Sequence, residues 1–357
     1  MNKTILVTGG AGFIGSNFIK NYLQNNPHHQ VINLDKLTYA GNLANLTELE
    51  ANPQYTFIKG DICDRDLIEN ILSAKNAYNA PPDYIIHFAA ESHVDRSIHD
   101  SSEFIQTNII GTQVILDAVR KLWTGDKNKR MVHVSTDEVY GSLPAEGLFS
   151  ENSLIKPNSP YSASKASSDL LVRAYFKTYG LPLITTRCSN NYGPYQFPEK
   201  LIPLIINNII KRKKLPVYGQ GSNVRDWLYV TDHCNAIEAV LNKGIIGEVY
   251  NIGGNNEWKN IDIVKRICSI LDKKLGQSGF KSESLIEYVS DRLGHDLRYA
   301  IDASKIKEQL GWKPQYVFED GIEKTIDWYL DNMDWLDDVT SGEYQAYYQK
   351  HYTKNKT

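Results

Sequence analysis

Cysteine is scarce in this chain, and histidine does not gather into clusters. The 357 residues contain four cysteines and nine histidines. The cysteines, none of which forms a C-x-x-C pair, are Cys63, Cys188, Cys234 and Cys268. Neither a disulfide framework nor a zinc site is therefore expected. His93 and His295 also lack metal-ligand spacing to other histidines or acids, so we expect no metal.

An excess of charge of either sign is missing as well. The 39 basic and 42 acidic residues leave a net charge of −3, which gives no global attraction to nucleic acid or to a membrane. No apolar run reaches the ~18 residues that cross a bilayer, and no signal-peptide cleavage site follows the glycine-rich N-terminus. We therefore expect a cytoplasmic protein that binds neither nucleic acid nor membrane.

Short apolar runs recur instead at the spacing of βα units. They lie at 4–9, 30–35, 55–61, 84–90, 130–135, 181–188 and 248–254. Helix-like stretches separate most of them, as at 16–25 and 111–123. Strands that are buried on both faces and alternate with helices predict a Rossmann-type α/β fold, a doubly wound parallel sheet of about seven strands.

The regular pattern loosens after about residue 190, where proline, glycine and asparagine become frequent. The run at 248–254 has the character of a strand that returns to the main sheet, so a smaller C-terminal substrate domain would be discontinuous. We predict a Rossmann domain over 1–190 that includes this returning strand. A substrate-binding domain would occupy most of 191–330, and 331–357 would form a peripheral tail.

A glycine-rich segment, "TGGAGFIGS" at 8–16, stands between the first predicted strand and the first predicted helix. It contains G-x-G-x-x-G on Gly10, Gly12 and Gly15, and G-x-x-G-x-x-G when Gly9 is counted. Such glycines permit a tight turn and let the backbone approach a pyrophosphate at a helix N-terminus. In this context the motif predicts a dinucleotide site.

Two aspartates at strand ends bear on which dinucleotide binds. Asp35 ends the second strand, 20 residues after Gly15, where a carboxylate accepts ribose hydroxyls and repels a 2′-phosphate. NAD is therefore favoured over NADP, although Lys36 beside it weakens that argument slightly. Asp61 closes the third strand and is a candidate adenine contact, with a turn or helix-cap aspartate as an equal alternative.

Tyr161 and Lys165 stand four residues apart at the start of a helix-like segment, which puts both on one face. A lysine cation near a phenol stabilises the phenolate, so the tyrosine can act as a base near neutral pH. The same spacing occurs at 55–59, on a predicted strand, and at 352–356, in the tail. Only the pair at 161 follows a strand that ends in serine and threonine, "VSTDEVYG" at 134–141.

These motifs together resemble the extended short-chain dehydrogenases that act on nucleotide sugars, and within them the dTDP-glucose 4,6-dehydratase family. The similar segments include "DKLTYAGNL" (35–43), "FAAESHVDRSI" (88–98), "RCSNNYGPYQFPEKLIP" (187–203), "GSNVRDWLYVTDH" (221–233) and "DRLGHDLRYAID" (291–302). The likeness runs from residue 1 to about residue 330. One departure is Leu293, which stands where the family usually has proline and would loosen the loop near the nucleotide.

The resemblance implies dehydration of dTDP-glucose by transient oxidation at C4 with NAD, loss of water across C5–C6, and return of the hydride to C6. Tyr161 would deprotonate the sugar hydroxyl, Lys165 would hold the nicotinamide ribose, and Thr136 would hydrogen-bond the reacting hydroxyl. Asp137 would protonate the departing water, and Glu138 would take the C5 hydrogen. These five residues are the implied catalytic set.

The adjacent acids have a chemical rationale that does not depend on the resemblance. Loss of water beside a ketone needs a base for the carbon-bound hydrogen and an acid for the leaving hydroxide. Adjacent carboxylates couple, so that one can hold a proton that the other lacks. Spacing does not decide whether Asp137 or Glu138 is the acid, and a solvated pair that caps a turn is the structural alternative.

The resemblance also implies binding residues for both ligands. Cofactor contacts would come from Gly9, Gly12, Phe13, Ile14, Gly15, Asp35, Lys36, Leu37, Thr38, Asp61, Ile62, Ala89, Ala90, Thr107, Tyr161, Lys165 and Asn191. Substrate contacts would come from Ser92, Thr136, Asn190, Lys200, Leu201, Pro216, Tyr218, Arg225, Asn260, Arg292 and His295. Arginines suit a diphosphate because of their planar fork, although Arg225 could instead pair with Asp226 or another surface acid.

A homodimer is implied as well, through the helices around 100–122 and 161–178. Three alternative functions stay open. A 4-epimerase on the same fold would need no acid pair, a dehydratase could act on another nucleotide sugar, and a regulator could bind NAD without catalysis. The last would be expected to lack one of Thr136, Tyr161 or Lys165, and all three are present.

Overall fold

Seven strands form one parallel sheet in the computed structural model, which describes residues 2–73, 80–276 and 281–341. The strands are β1 (Thr4–Thr8), β2 (Gln30–Asp35), β3 (Tyr55–Lys59), β4 (Tyr84–His87), β5 (Arg130–Thr136), β6 (Leu183–Cys188) and β10 (Val249–Ile252). Their order is β10-β6-β5-β4-β1-β2-β3, with every pair parallel. The seven predicted runs are thus the seven strands, and the one at 248–254 joins the sheet edge.

Helices cover both faces of this sheet. The helices of the described chain are α1 (Phe13–Asn25), α2 (Arg65–Ser73), α3 (Val94–His99), α4 (Ser102–Phe104), α5 (Thr112–Trp123), α6 (Pro160–Tyr179), α7 (Leu201–Ile210), α8 (Val230–Lys243), α9 (Asn260–Lys274), α10 (Ser304–Leu310), α11 (Phe318–Asp331) and α12 (Met333–Val339), of which α1, α8 and α10 pack on one face of this sheet and α2, α5 and α6 on the other. In β1, Ile5 and Val7 pack with α1 and α8, and Leu6 packs on the other face with α2, α5 and α6. This two-sided burial explains why the strands are continuous apolar runs.

Strand order reverses at β1, which has β2 on one side and β4 on the other. Connections after these strands leave in opposite directions, so a crevice opens at their carboxyl ends. The glycine-rich segment follows β1 and the segment 88–93 follows β4, so both lie at this crevice. The fold therefore places the predicted dinucleotide site where doubly wound sheets bind ligands.

The remaining strands build two small sheets. β7 (Asn190–Tyr192), β9 (Val224–Tyr229) and β11 (Glu257–Lys259) form one, and β8 (Leu215–Tyr218) pairs with β12 (Ile286–Val289). A separate apolar cluster joins them to α7, α9, α11 and α12. The predicted domain boundaries stay a prediction, and the end of the predicted tail, 342–357, lies outside the described residues. Within the described ranges, no helix is long and apolar enough to cross a membrane.

Candidate active site

The turn between β1 and α1 requires glycine at two positions. Gly9 has φ +72°, and a Cβ there would lie 2.6 Å from the backbone nitrogen of Ala89. A Cβ on Gly15 would lie 2.3 Å from the carbonyl oxygen of Gly9. α1 begins directly after Gly12, which has no side chain to cap it, so the first N–H groups of the helix are left for a ligand. This is the cradle that a pyrophosphate needs.

Asp35 fixes both sides of this cradle through its carboxylate. One oxygen accepts the N–H of Ala11 at 2.9 Å and the other accepts the N–H of Leu37 at 2.8 Å. Burial raises the pKa of Asp35, and these two backbone donors oppose the rise. Leu37 has φ +57° and does not line the cavity, in contrast to the other predicted cofactor contacts. Its backbone, rather than its side chain, is the part that the site uses.

Asp61 lies farther along the same cavity and pairs with Lys36 at 2.9 Å. Burial acts to raise the pKa of Asp61, but the N–H of Cys63 and the Lys36 ammonium outweigh it and hold the pKa below its ordinary value. Asp61 is therefore a charged acceptor at the cavity wall. Asp61 Oδ1 also accepts the N–H of Cys63 at 2.9 Å, as a turn aspartate does, so the adenine-contact and turn interpretations both fit this geometry.

All predicted cofactor contacts except Leu37 line one continuous cavity. The cavity has further walls that the sequence reasoning missed, among them Glu91, Gln196, Phe197 and Glu199. These residues come from segments with no local dinucleotide motif, and they reach the cavity only through the tertiary fold. Among the described residues, no group of histidine, cysteine and acidic side chains is arranged to hold a metal ion.

The tyrosine and lysine that the sequence predicts to be catalytic, Tyr161 and Lys165, lie on the first turns of α6. Ser159 and Ser162 form a capping box, and proline follows the cap, so the helix start is well defined. The N–H of Tyr161 donates to Ser97 Oγ at 3.1 Å, and Lys165 Nζ donates to the carbonyl oxygen of Val134 at 2.8 Å. α6 is therefore attached to both α3 and β5. Both side chains are buried at the cavity wall.

Burial has the largest effect on the pKa values of both Tyr161 and Lys165. It raises the pKa of Tyr161 well above its ordinary value, the Glu138 carboxylate adds to the rise, and Thr136 opposes it. Burial also lowers the pKa of Lys165, against the effect of Asp169. The phenol thus keeps its proton until a ligand changes this environment. Thr136 ends β5, which places its hydroxyl beside both Tyr161 and the acid pair.

Asp137 and Glu138 begin a short 3-10 turn, Asp137–Tyr140, and differ in their surroundings. Asp137 is 1% exposed, and within the described residues its Oδ2 accepts no hydrogen bond. Burial, Glu138 and Asp226 raise the pKa of Asp137 well above its ordinary value. Burial also raises the pKa of Glu138, but cations at 200, 225 and 292 oppose that rise. Burial thus favours the protonated form of both acids, and the three cations favour the ionised form of Glu138.

A second cavity adjoins the first and contains the predicted substrate contacts. Those that line it are Asn190, Lys200, Leu201, Pro216, Tyr218, Arg225, Asn260, Arg292 and His295. Ser92 and Thr136 line the cofactor cavity, and Glu138, Asn190, Asn191 and Lys200 line both. Among the described residues, the side-chain oxygens of Asn190 and Asn260 are buried without a hydrogen-bond partner. Glu138 thus stands at the junction of the two cavities.

Arg225 is held by backbone rather than by an acid. Its guanidinium donates to the carbonyl oxygens of Val224 at 2.8 Å and Asp296 at 2.9 Å, and it lies 4.2 Å from the ring centroid of Tyr299. Asp226 instead accepts the N–H groups of residues 254 and 256. The pairing of Arg225 with Asp226 that the sequence left open is not seen in the described part of the chain.

Lys200 and Arg292 are two further cations, besides Arg225, that line the second cavity, which we call the groove. Lys200 Nζ donates to the carbonyl oxygen of Ser92 at 2.8 Å. Arg292 Nη2 donates to Asp95 at 3.0 Å, although Asp95 carried no signal in the sequence. Three cations and Glu138 therefore line the second cavity, and Asp137 lies beside Glu138 in the first; this arrangement suits a diphosphate with proton transfer beside it.

Comparisons with known proteins agree with this geometry. A family model described as GDP-mannose 4,6 dehydratase matches residues 6–325. A dTDP-glucose 4,6-dehydratase of Escherichia coli is 57% identical over 357 residues, which cover 95% of this chain and 97% of the relative.

Two solved structures of dTDP-glucose 4,6-dehydratases are also similar. The one from Bacillus anthracis strain Ames, in complex with NAD, has a TM-score of 0.84 and 49% identity and covers 94% of this chain and 99% of its own. DesIV from Streptomyces venezuelae, with NAD and TYD bound, has a TM-score of 0.86 and 48% identity over the same shares.

Proposed function

This chain belongs to the family described as GDP-mannose 4,6 dehydratase, a nucleotide-sugar branch of the extended short-chain dehydrogenases, and from that premise we propose that it is a dTDP-glucose 4,6-dehydratase. It is an NAD-dependent hydro-lyase whose product is dTDP-4-keto-6-deoxyglucose. The observation that carries the proposal is the acid pair, Asp137 and Glu138, which lies beside Tyr161 and Lys165 where the two cavities meet.

The residues around the first cavity fit NAD. The glycine cradle and the start of α1 would hold its pyrophosphate, and Asp35 has the position to accept ribose hydroxyls. When bound, NAD supplies the hydride acceptor for C4 and, once reduced, the hydride donor for C6. Because the same hydride leaves and returns, the reaction consumes no cofactor overall.

Tyr161 takes the proton of the C4 hydroxyl in the first step. Thr136 orients that hydroxyl, and Lys165 supplies the positive charge that stabilises the phenolate. Burial and Glu138 raise the pKa of Tyr161, and the hydrogen bond with Thr136 opposes that rise, so the base role depends on the positive charge of Lys165. Oxidation at C4 makes the C5 hydrogen acidic.

Glu138 then removes the C5 hydrogen as a proton, and Asp137 donates a proton to the C6 hydroxyl, which leaves as water; Glu138 returns its proton to C5 when C6 receives the hydride. The surroundings support this assignment, because Asp137 is the acid whose pKa burial and neighbouring carboxylates raise most strongly. The cations of the groove favour the ionised form of Glu138, which a base requires. Lys200, Arg225 and Arg292 would bind the diphosphate.

Two further properties belong to the proposal. Exposed apolar side chains on the helical segments 102–123 and 160–179 favour a homodimer through this face; they are Ile105, Ile110, Leu122 and Leu170. The activated sugar and NAD favour a cytoplasmic location. Equilibrium sedimentation at several concentrations and fractionation of cells would test these properties, and a persistent monomer would contradict the first.

Incubation of the purified protein with dTDP-glucose tests the function. The expected product, identified by NMR, is the 4-keto-6-deoxy sugar with no net formation of NADH. Formation of dTDP-galactose instead would identify an epimerase. Competition among dTDP-, UDP- and GDP-glucose in one assay decides the base, and NAD binding without turnover of any sugar nucleotide would identify a regulator.

A further inference from the structure

We propose that Asp95 is a positioning residue for the substrate diphosphate, because it fixes Arg292 and Tyr218 on the opposite wall of the groove. This inference rests on the proposed function. Asp95 lies on α3, whereas Tyr218 ends β8 and Arg292 follows β12. Its carboxylate therefore bridges two parts of the chain across the substrate cavity, because it accepts hydrogen bonds from both side chains.

The contact leaves one edge of the guanidinium for a ligand. Arg292 Nη2 donates to Asp95 Oδ2 at 3.0 Å, and Nε is in ion-pair contact with Oδ1 without making a hydrogen bond among the described residues, so the carboxylate faces the Nε–Nη2 edge of the fork. The Nη1 amino group lies on the other edge, where it would meet a phosphate oxygen. Tyr218 donates its hydroxyl to Asp95 at 3.2 Å, and the guanidinium of Arg292 lies 5.2 Å from the tyrosine ring centroid.

The loop that carries Arg292 has little other support on its outer side. Leu293 is 76% exposed and Gly294 has φ +64°. The Asp95–Arg292 pair itself is mostly shielded, with side-chain exposures of 12% and 22%. A pair with this shielding is screened less by solvent than a surface pair. Asp95 therefore joins Arg292 to α3, alongside the 2.6 Å hydrogen bond from Asn158 Nδ2 to Asp296 Oδ1 farther along the same loop.

Asp95 has two opposing effects on substrate binding. Its charge offsets part of the attraction between Arg292 and a diphosphate, which would weaken binding. Its two contacts order a long side chain in advance, which would strengthen binding. The second carboxylate that acts on Arg292 is Glu138, the proposed base. Because Glu138 also attracts Arg292, loss of Asp95 would let the guanidinium turn toward Glu138 and away from the diphosphate. We therefore infer that the ordering of Arg292 by Asp95 outweighs the charge that Asp95 offsets.

The test compares Asp95→Asn and Asp95→Glu with the wild-type holoenzyme. Calorimetry with dTDP should show affinity about ten- to a hundredfold weaker for Asp95→Asn, the range for loss of a hydrogen bond between charged groups. KM for dTDP-glucose should rise in parallel while kcat changes little, and Asp95→Glu should recover part of the affinity. Retained NAD content and an unchanged thermal midpoint show that the variant is folded.

Glu257→Gln is the matched control, because Glu257 also pairs with both nitrogens of an arginine edge, in Arg298, but lines neither cavity. Its dTDP affinity should equal that of the wild type. Unchanged or tighter dTDP binding by Asp95→Asn, or an equal loss in Glu257→Gln, would overturn the role of Asp95. Failure of the wild type to bind dTDP would instead overturn the proposed function.

Discussion

Replacement of Glu138 with glutamine should separate the two halves of the proposed reaction. Glutamine keeps the shape of the side chain and removes both its charge and its ability to take a proton. The groups proposed for C4 oxidation, Thr136, Tyr161 and Lys165, stay in place on β5 and α6. We therefore expect Glu138→Gln to form bound NADH with dTDP-glucose but not to lose water.

The magnitude follows from the role of a general base. Such a group contributes about 10²- to 10⁴-fold to a proton-transfer step. Dehydration by Glu138→Gln should therefore be slower by this factor, which corresponds to about 3–5 kcal/mol of activation free energy. Because the second step then becomes limiting, reduced cofactor should accumulate during the first turnover. Wild-type enzyme should show only a small transient amount.

The pH at which NADH formation accelerates should also shift in Glu138→Gln, and the pKa of Tyr161 gives the direction of the shift. The Glu138 carboxylate is one of the groups that raise the pKa of Tyr161. Its removal lowers that pKa, so the ionised tyrosine forms at lower pH. The rate of NADH formation in Glu138→Gln should therefore rise at a lower pH than in the wild type. Stopped-flow absorbance of the reduced nicotinamide across a pH series measures this shift.

Asp137→Asn is the companion variant that distinguishes the two acids. With Glu138 intact, it should still exchange the C5 hydrogen for solvent deuterium, whereas Glu138→Gln should not. NMR of the recovered sugar nucleotide reports this exchange. The opposite pattern would mean that the roles of the two acids are reversed. Dehydration by Glu138→Gln at the wild-type rate would refute the reasoning for this residue altogether.

Three other changes test separate parts of the structure. Gly9→Ala places a Cβ 2.6 Å from backbone at φ +72°, so the purified protein should carry less NAD and unfold at a lower temperature; wild-type NAD content would contradict the cradle. Asp169→Asn removes the carboxylate 2.8 Å from the buried Arg187 guanidinium. Urea unfolding should show a loss of about 3–5 kcal/mol, and a loss below about 1 kcal/mol would mean that the pair is solvated. Tyr39→Phe removes the 2.9 Å hydrogen bond to Glu199 that joins two walls of the cofactor cavity. NAD release, followed by fluorescence, should be about tenfold faster, and an unchanged rate would exclude this contact as a restraint.

The main sheet could be predicted from the sequence because its signal is local. Each strand is buried on both faces, so each appears as an apolar run, and the helices between them impose parallel pairing. The small sheets could not be predicted in the same way. β7 and β11 have three residues each, and β11 is partly exposed, so neither gives a recognisable run. Their pairing depends on the packing of distant helices.

The candidate site also has local parts that the sequence predicts and long-range contacts that it does not. The glycine turn and the Tyr161–Lys165 spacing lie within one segment each, and the structure brings them to one cavity. Asp95 and Arg292 are 197 residues apart, and Tyr39 and Glu199 are 160 apart. Nothing in either segment indicates its partner. Such contacts follow from the tertiary fold, which the local pattern of the sequence does not contain.

Backbone geometry explains how two neighbouring acids acquire different protonation. They begin a 3-10 turn, in which three residues complete a turn, so successive side chains point about 120° apart. One acid enters a buried site near Asp226, and the other faces the cationic groove. Under the proposed assignment, a single proton on Asp137 would relieve the repulsion between the two. A diphosphate that pairs with Arg225 and Arg292 would weaken their effect on Glu138, so the base becomes stronger when the nucleotide sugar is in place.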